Sequence, residues 1–241
     1  EICACLVGSE MCIRDRCNYE TIEIPEKKWN YDSEIIGIDI PVVAVMGIGQ
    51  NVQKFDLQLY LRSRFIDKGY KVSQIGTKKI SGLFGLHPLP DFLFNTQYSD
   101  VDKVYAFNRV MKDVSMQEKP DVILLGIPDS LLPLNNKHRF SFGLYAYEIF
   151  NAVQPDFVIT SLMANNGYND EFYSEISKMA KYKYNVNIDA YFVSQFCPLS
   201  NSIWSEKLSY VYLSRMELPK TEYKVYTTSD LNLSLIHISE P

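Results

Sequence analysis

Val42-Val43-Ala44-Val45-Met46-Gly47-Ile48-Gly49-Gln50-Asn51-Val52-Gln53-Lys54-Phe55-Asp56 is the stretch that decides the fold. Its first five residues are a short apolar run, suited to a strand buried on both faces. Gly47 and Gly49 break the run. From about Val52 to Lys68, Leu57, Leu61 and Phe65 recur at i+4, which predicts a helix with one buried face, stopped by Gly69. A buried strand that passes through a glycine turn into a helix is the opening unit of a parallel α/β sheet.

The remainder repeats that alternation. Lys71–Ile75 reads as a strand ended by Gly76. The loop Thr77–Tyr98 holds Gly82, Gly85, Pro88 and Pro90 and is long for a bare connection, so it is either functional or partly structured. Its Phe92, Phe94 and Tyr98 read first as core packing, and alternatively as an aromatic flap for a peptide or partner. Ser99 is a fitting N-cap for a helix to Glu118 with Val104, Phe107 and Met111 inward. Two blocks then share one design, Lys119-Pro120-Asp121-Val122-Ile123-Leu124-Leu125 and Gln154-Pro155-Asp156-Phe157-Val158-Ile159, each with a proline that closes a helix before an apolar strand. Helices are expected at Gly143–Val153 and Asn169–Tyr184, and a strand at Val186–Val193; beyond Cys197 the pattern fades. These elements predict an α/β fold, a mostly parallel sheet with helices on both faces in three layers. The expected division is a lead-in at 17–40 with a short strand at Glu34–Ile40, an α/β domain at 41–200, and a C-terminal extension at 201–232.

The two ends are set aside. One codon choice for Leu233–Pro241 has a reverse complement that, in another frame, spells Gly8–Asp15. Residues 1–16 and 233–241 are therefore expected to be translated sequencing-adapter DNA, which leaves the native frame open at both edges. About 215 native residues suit one sizeable α/β domain. A hydrophobic content of 46% and a charged content of 22% describe an ordinary globule. The net charge of −5 argues against a nucleic-acid grip. No apolar run approaches the roughly 20 residues that a membrane span needs. Cys3, Cys5, Cys12 and Cys17 lie in or beside the adapter stretch, which leaves Cys197 as the secure thiol. One thiol makes neither a disulfide framework nor a zinc site, and a reducing cytoplasm is the expected setting.

The turn after the first strand carries the candidate chemistry. It sits where a parallel sheet binds ligands, and its backbone N–H groups converge on an anion with help from the helix dipole. Lys54 places a cation in the first helical turn, unfavourable by roughly 0.3–1 kcal/mol unless a negative group offsets it. A bound phosphate would do so. The candidate binding residues are Gly47, Gly49, Gln50, Asn51, Gln53 and Lys54, and the nucleotide such a turn would take is ATP or GTP. The spelling departs from G-x-x-x-x-G-K-[ST], because the first glycine lies one position further from the lysine. It resembles the longer loop of the dethiobiotin-synthetase-like branch of P-loop proteins, with Gln53 where that branch has glycine and Phe55 where it has threonine. Phe55 lacks the hydroxyl for Mg²⁺, and Leu124-Leu125-Gly126 lacks an acidic residue, with Asp129 three places on. Binding without hydrolysis is one reading; the other is that Gly47 and Gly49 merely make a tight turn and Lys54 is solvated.

Other candidates are weaker. His87 and His138 lack acidic neighbours at ligand spacing, so no metal is assigned. Lys137-His138-Arg139 and Asn165-Asn166-Gly167 occupy loops after strands; phosphate, base or peptide contact is one reading and turn chemistry the other. Cys197 has no nearby histidine to make it a nucleophile.

Pro41–Gly49, Lys54-Phe55-Asp56-Leu57-Gln58-Leu59, Gly69–Gly76, Lys119-Pro120-Asp121, Gly82–His87 and the stretch from Asn135 to Glu148 together resemble the bacterial peptide maturation system proteins. Those accompany small ribosomally made peptides and, often, radical-SAM modifying enzymes. The resemblance implies an accessory role with the precursor peptide or a radical-SAM-type enzyme as partner. It also implies an eroded phosphate loop as the family's normal state, and it carries over no catalytic residue. The rival readings are an active ATP- or GTP-dependent ligase or kinase of the P-loop class, and a non-catalytic scaffold that uses the Thr77–Tyr98 flap.

Overall fold

The computed structural model describes residues 34–231 apart from Arg215. The adapter-like ends and residues 17–33 of the lead-in lie outside the described residues. β1 (Val42–Gly47) is buried along its whole length, as its apolar run predicts. It pairs in parallel on both sides, with β4 (Val122–Gly126) and with β5 (Phe157–Leu162). β2 (Val72–Gly76) flanks β4, and a two-residue strand β3 (His87–Pro88) forms the edge beyond it. On the other side β6 (Ala190–Val193) follows β5. β9 (Val225–Thr227) pairs beyond β6, and the described residues form a seven-stranded sheet in the order β3-β2-β4-β1-β5-β6-β9. Every pairing in it is parallel.

Alternation along β1 divides the interior. Val43 and Val45 face α1 (Lys54–Asp67), whose Leu57 and Leu61 fill that side with Phe65 packed against them. Val42, Ala44 and Met46 face three helices: α2 (Asp100–Glu118), α3 (Leu144–Ala152) and α4 (Asp170–Tyr184). Phe107, Met111, Ile149 and Ala180 are wholly buried there. The result is three layers, an α/β sandwich with helices on both faces. Ser99 caps α2 as expected, its Oγ accepting the Asp102 amide at 3.1 Å. Among the described residues, no helix is long and apolar enough to cross a membrane.

Three expectations change, and the Thr77–Tyr98 loop proves partly structured, one of the two readings its length leaves open. The lead-in forms no strand at Glu34–Ile40; it runs along α2, held by Asn108, which is fully buried. The Asn108 Oδ1 accepts the Ile36 amide at 2.9 Å, and its Nδ2 donates to the Ile36 and Ala152 carbonyls at 2.9 and 2.8 Å. Asn108→Ala would orphan these buried groups, so we expect a loss of about 2–3 kcal/mol in urea unfolding, with faster amide exchange at Ile36. Unchanged exchange there would show that the side chain does not hold the segment. The Thr77–Tyr98 loop is folded into two 3-10 turns, Lys79–Phe84 and Asp91–Phe94, around β3. Phe92 and Leu93 join the core and Tyr98 packs against it, while Phe94 stands edge-on to Tyr145 at 5.1 Å. The strand expected at Val186–Val193 starts only at Ala190, because Val186 and Ile188 turn into the core instead. Finally, residues beyond Cys197 carry order. β7 (Phe196–Pro198) and β8 (Tyr210–Tyr212) form an antiparallel hairpin, and β9 brings the chain back to the sheet.

Candidate functional site

β1 lies between β4 and β5, so the chain's progress across the sheet reverses around it. Such a switch point opens a crevice at the carboxyl ends of the strands. The turn from Gly47 to Gln53 rises into that crevice and is clasped from both neighbours. The amides of Ile127 and Leu131 donate to the Val45 and Gly47 carbonyls at 2.8 and 3.0 Å. The Ile48 amide donates to the Ser161 carbonyl at 3.0 Å, and the Ser161 hydroxyl donates to the Val52 carbonyl. Ser130 Oγ donates to the Ile48 carbonyl at 2.7 Å.

The helix begins at Lys54, two residues later than its periodicity suggests, because Asn51 and Gln53 are left-handed, with φ of 54° and 56°. Val52 between them is buried in the hollow of the turn. This explains both glycines by close approach. A Cβ on Gly47 would lie 2.7 Å from Val52 Cγ2 and 2.9 Å from Lys54 Cδ, and one on Gly49 would lie 2.1 Å from Met163 Cε. Alternating handedness of this kind turns successive amides toward one concave side, the geometry of an anion nest. No side chain caps the helix that follows, so the amides of Lys54, Phe55 and Asp56 have no acceptor within it.

Lys54 lies differently from its sequence expectation. Its stem folds back over Gly47, it is 9% exposed, and its ammonium donates to the backbone carbonyl of Asp129. Burial lowers its pKa to about 8, against the pull of the Asp129 carboxylate. The negative group that offsets Lys54 in the first helical turn is Asp129. That residue is a hub. Its Oδ1 accepts from Gln50 Nε2 and its Oδ2 from the Ser141 amide, both at 2.8 Å, and its own φ is 56°.

Seven described non-glycine residues are left-handed. Lys119 and Asn185 end α2 and α4, where that conformation is ordinary. The other five, Asn51, Gln53, Asp129, Phe140 and Phe142, gather in the turn and in the β4–α3 connection. At about 1–3 kcal/mol each, such strain collects at ligand sites and switches.

All six predicted residues therefore come together at the turn, with unequal roles. Gln50 and Lys54 turn to Asp129, and Gln53 Oε1 accepts the Gln195 amide at 2.7 Å. Asn51 and Gln53 line a cleft of about 270 Å³ with Asp56, Lys78, Phe196 and Tyr210. Lys78, which follows the carboxyl end of β2, holds its ammonium 5.5 Å from the centre of the Phe55 ring. Phe55 thus supports a cation where a hydroxyl would hold a metal. Lys78, Phe196 and Tyr210 were missed in the sequence. Only Lys78 carried a signal, a lone cation just past a strand's carboxyl end.

The remaining candidates serve structure. His87 Nε2 meets Glu118 Oε1 at 2.5 Å, whereas His138 Nε2 meets the Ser205 carbonyl at 2.9 Å, so the two form no common site. Lys137 Nζ donates to the Trp204 carbonyl and Arg139 Nε to the Asn136 carbonyl. Asn165 Oδ1 accepts the Gly167 amide at 2.8 Å in a local turn that borders a second, open cavity of about 510 Å³. Cys197 is a free thiol in β7. Among the described residues, no three His, Cys, Asp or Glu side chains are placed to hold a metal.

No family model matches the chain. No curated protein matches it either. Solved structures do resemble it at a distance. A DUF1611 family protein from Anabaena variabilis is 14% identical at a TM-score of 0.46, over 69% of this chain and 50% of that one. Chloroplast FtsY from Physcomitrella patens is 13% identical at 0.39, over 66% and 51%. Cobyrinic acid a,c-diamide synthase from Mycobacterium smegmatis, solved with a bound ATP analog and magnesium, is 16% identical at 0.42, over 64% and 72%. The chain thus spans about half the length of the first two. The architecture stands on the strand order itself.

Proposed function

We propose that the crevice beside β1 binds the phosphates of a nucleotide, ATP or GTP, without hydrolysing it, and that the protein serves in the cytoplasm as an accessory to maturation of a ribosomally made peptide. One observation carries the binding: left-handed Asn51 and Gln53 set a nest directly before an uncapped helix at the sheet's switch point. The cleft beside it presents Lys78, and its aromatic Phe196 and Tyr210 suit a planar base. Phe55 offers no metal-binding hydroxyl, and the Asp129 carboxylate is engaged on both oxygens, which supports binding without turnover. The maturation role rests on the sequence resemblance alone.

Titration with ATP and GTP tests the site. We expect binding that survives EDTA, and a roughly tenfold loss in Lys78→Ala, since a charge-assisted contact contributes about 1.5–3 kcal/mol. Lys78 is exposed, so its replacement leaves the fold intact. Binding of neither nucleotide would remove the proposal. Phosphate release with Mg²⁺ would replace it with the ligase or kinase reading. For the maturation role, the proposed partners are the precursor peptide and a radical-SAM-type enzyme; failure of the full chain to capture either from a reconstituted mixture would set that role aside.

A further inference from the structure

One residue, Asp129, is tied both to the turn before α1 and to the strained segment before α3. From this we infer that Asp129 is a latch: its carbonyl keeps the Lys54 ammonium out of the nest until a phosphate draws it away, and its release frees the Phe140–Gly143 segment. The inference rests on the phosphate reading above.

The connections are direct. Lys54 donates to the Asp129 carbonyl, Gln50 to its Oδ1, and the Ser141 amide to its Oδ2. One residue therefore ties two groups of the turn to the start of α3. The tie holds unfavourable backbone in place. Asp129, Phe140, Phe142 and Gly143 all have positive φ, and two of them are bulky aromatics for which that region is a genuine outlier. Ser141 Oγ is buried without a hydrogen-bond partner, so the segment is seated there by its neighbours and not by its own side chain. Phe142 remains 46% exposed, just ahead of the exposed Leu144 and Tyr147 of α3. A phosphate in the nest offers the ammonium a direct anionic acceptor, where Asp129 gives it a neutral carbonyl and the pull of a carboxylate engaged by Gln50 and Ser141. Once Lys54 turns, the left-handed Asp129 peptide loses its partner and can rotate, which carries its carboxylate away from the Ser141 amide and leaves Lys183 Nζ on the Phe142 carbonyl, at 2.6 Å, as a remaining tie. The strain in residues 140–143 then drives the segment outward, which changes the surface that α3 presents.

Amide exchange and ATP titration on the whole chain test this. In the wild type, ATP should raise exchange across residues 140–146 by about tenfold. Glycine adopts the left-handed region freely, so Asp129→Gly keeps the turn but removes the carboxylate that accepts the Ser141 amide and Gln50. Without ATP it should show the fast exchange of the ATP-bound wild type, with chymotryptic cleavage after Phe140 or Phe142, and it should bind ATP about fivefold more tightly. Exchange at 140–146 that stays slow in Asp129→Gly without ATP, or in wild type that has bound ATP, overturns the latch and leaves the phosphate site standing. If ATP binds neither protein, the phosphate reading falls and the latch with it.

Discussion

Replacing Gly143 with alanine should lower the unfolding free energy by about 3 kcal/mol. Two costs add. Gly143 has φ +75°, which an alanine adopts at about 1 kcal/mol or more. The new Cβ would also lie 2.0 Å from Tyr184 Oη and 2.7 Å from the Leu131 carbonyl. Tyr184 is nearly fully buried, and its hydroxyl donates to that same carbonyl at 3.2 Å, so neither group retreats easily. Overpacking of this kind costs about 1–3 kcal/mol. Gly69→Ala is the matched control, with φ +88° and nothing within 4 Å of the new methyl, and it should cost only the conformational part. Equal urea midpoints for the two variants would show that the space around Gly143 is not as tight as described.

Lys54→Met should have the second large effect, and it has two signatures. The first is ligand affinity: loss of the cation nearest the nest should weaken ATP or GTP binding by about a hundredfold. The second is the pH dependence of stability. The folded-state pKa is lowered to about 8 from 10.5 because the ammonium is buried. Between those values the unfolded chain binds more protons than the folded one, so stability rises with pH. At pH 7 the burial cost is fully present, and across the window it is relieved by about 3 kcal/mol. The wild type should therefore gain on Lys54→Met between pH 8 and 10. Burial also raises the pKa values of Tyr168, Tyr184 and Tyr191, which penalises the folded state at high pH, but those groups are common to both proteins and cancel in the difference. A flat difference between the two urea midpoints from pH 7 to 10 would mean that the ammonium is in water.

The sequence was informative wherever one period settled the matter. β1 was legible because an all-apolar run bounded by glycines has few other uses, and α2 because a capping serine preceded a long 3.6-residue repeat. The lead-in misled for a physical reason: Ile36, Ile38 and Ile40 alternate like a strand, yet the backbone of Ile36 is satisfied by the side chain of Asn108, 72 residues away. β7, β8 and β9 have three residues each, too few for any period to register. At the site, the glycines and the lysine could be placed on the turn, because strand, break and helix follow one another along the chain. The direction of the ammonium could not. Its partner is a main-chain carbonyl 75 residues away, and every residue has a carbonyl. The same holds for Lys78, whose place in the cleft depends on how β2 sits beside α1.

The position of β9 has a consequence for how the molecule is made. It is the last strand among the described residues, yet it covers the backbone of Tyr191, Phe192 and Val193 in β6. The opposite rim of the sheet is blunted by β3, two residues long and ending in proline, so it offers little for another chain to pair with. During synthesis the β6 rim has no such protection. It stands bare and apolar until the ribosome has released the chain past Thr227, and over that interval the nascent polypeptide is most open to sticking to its neighbours.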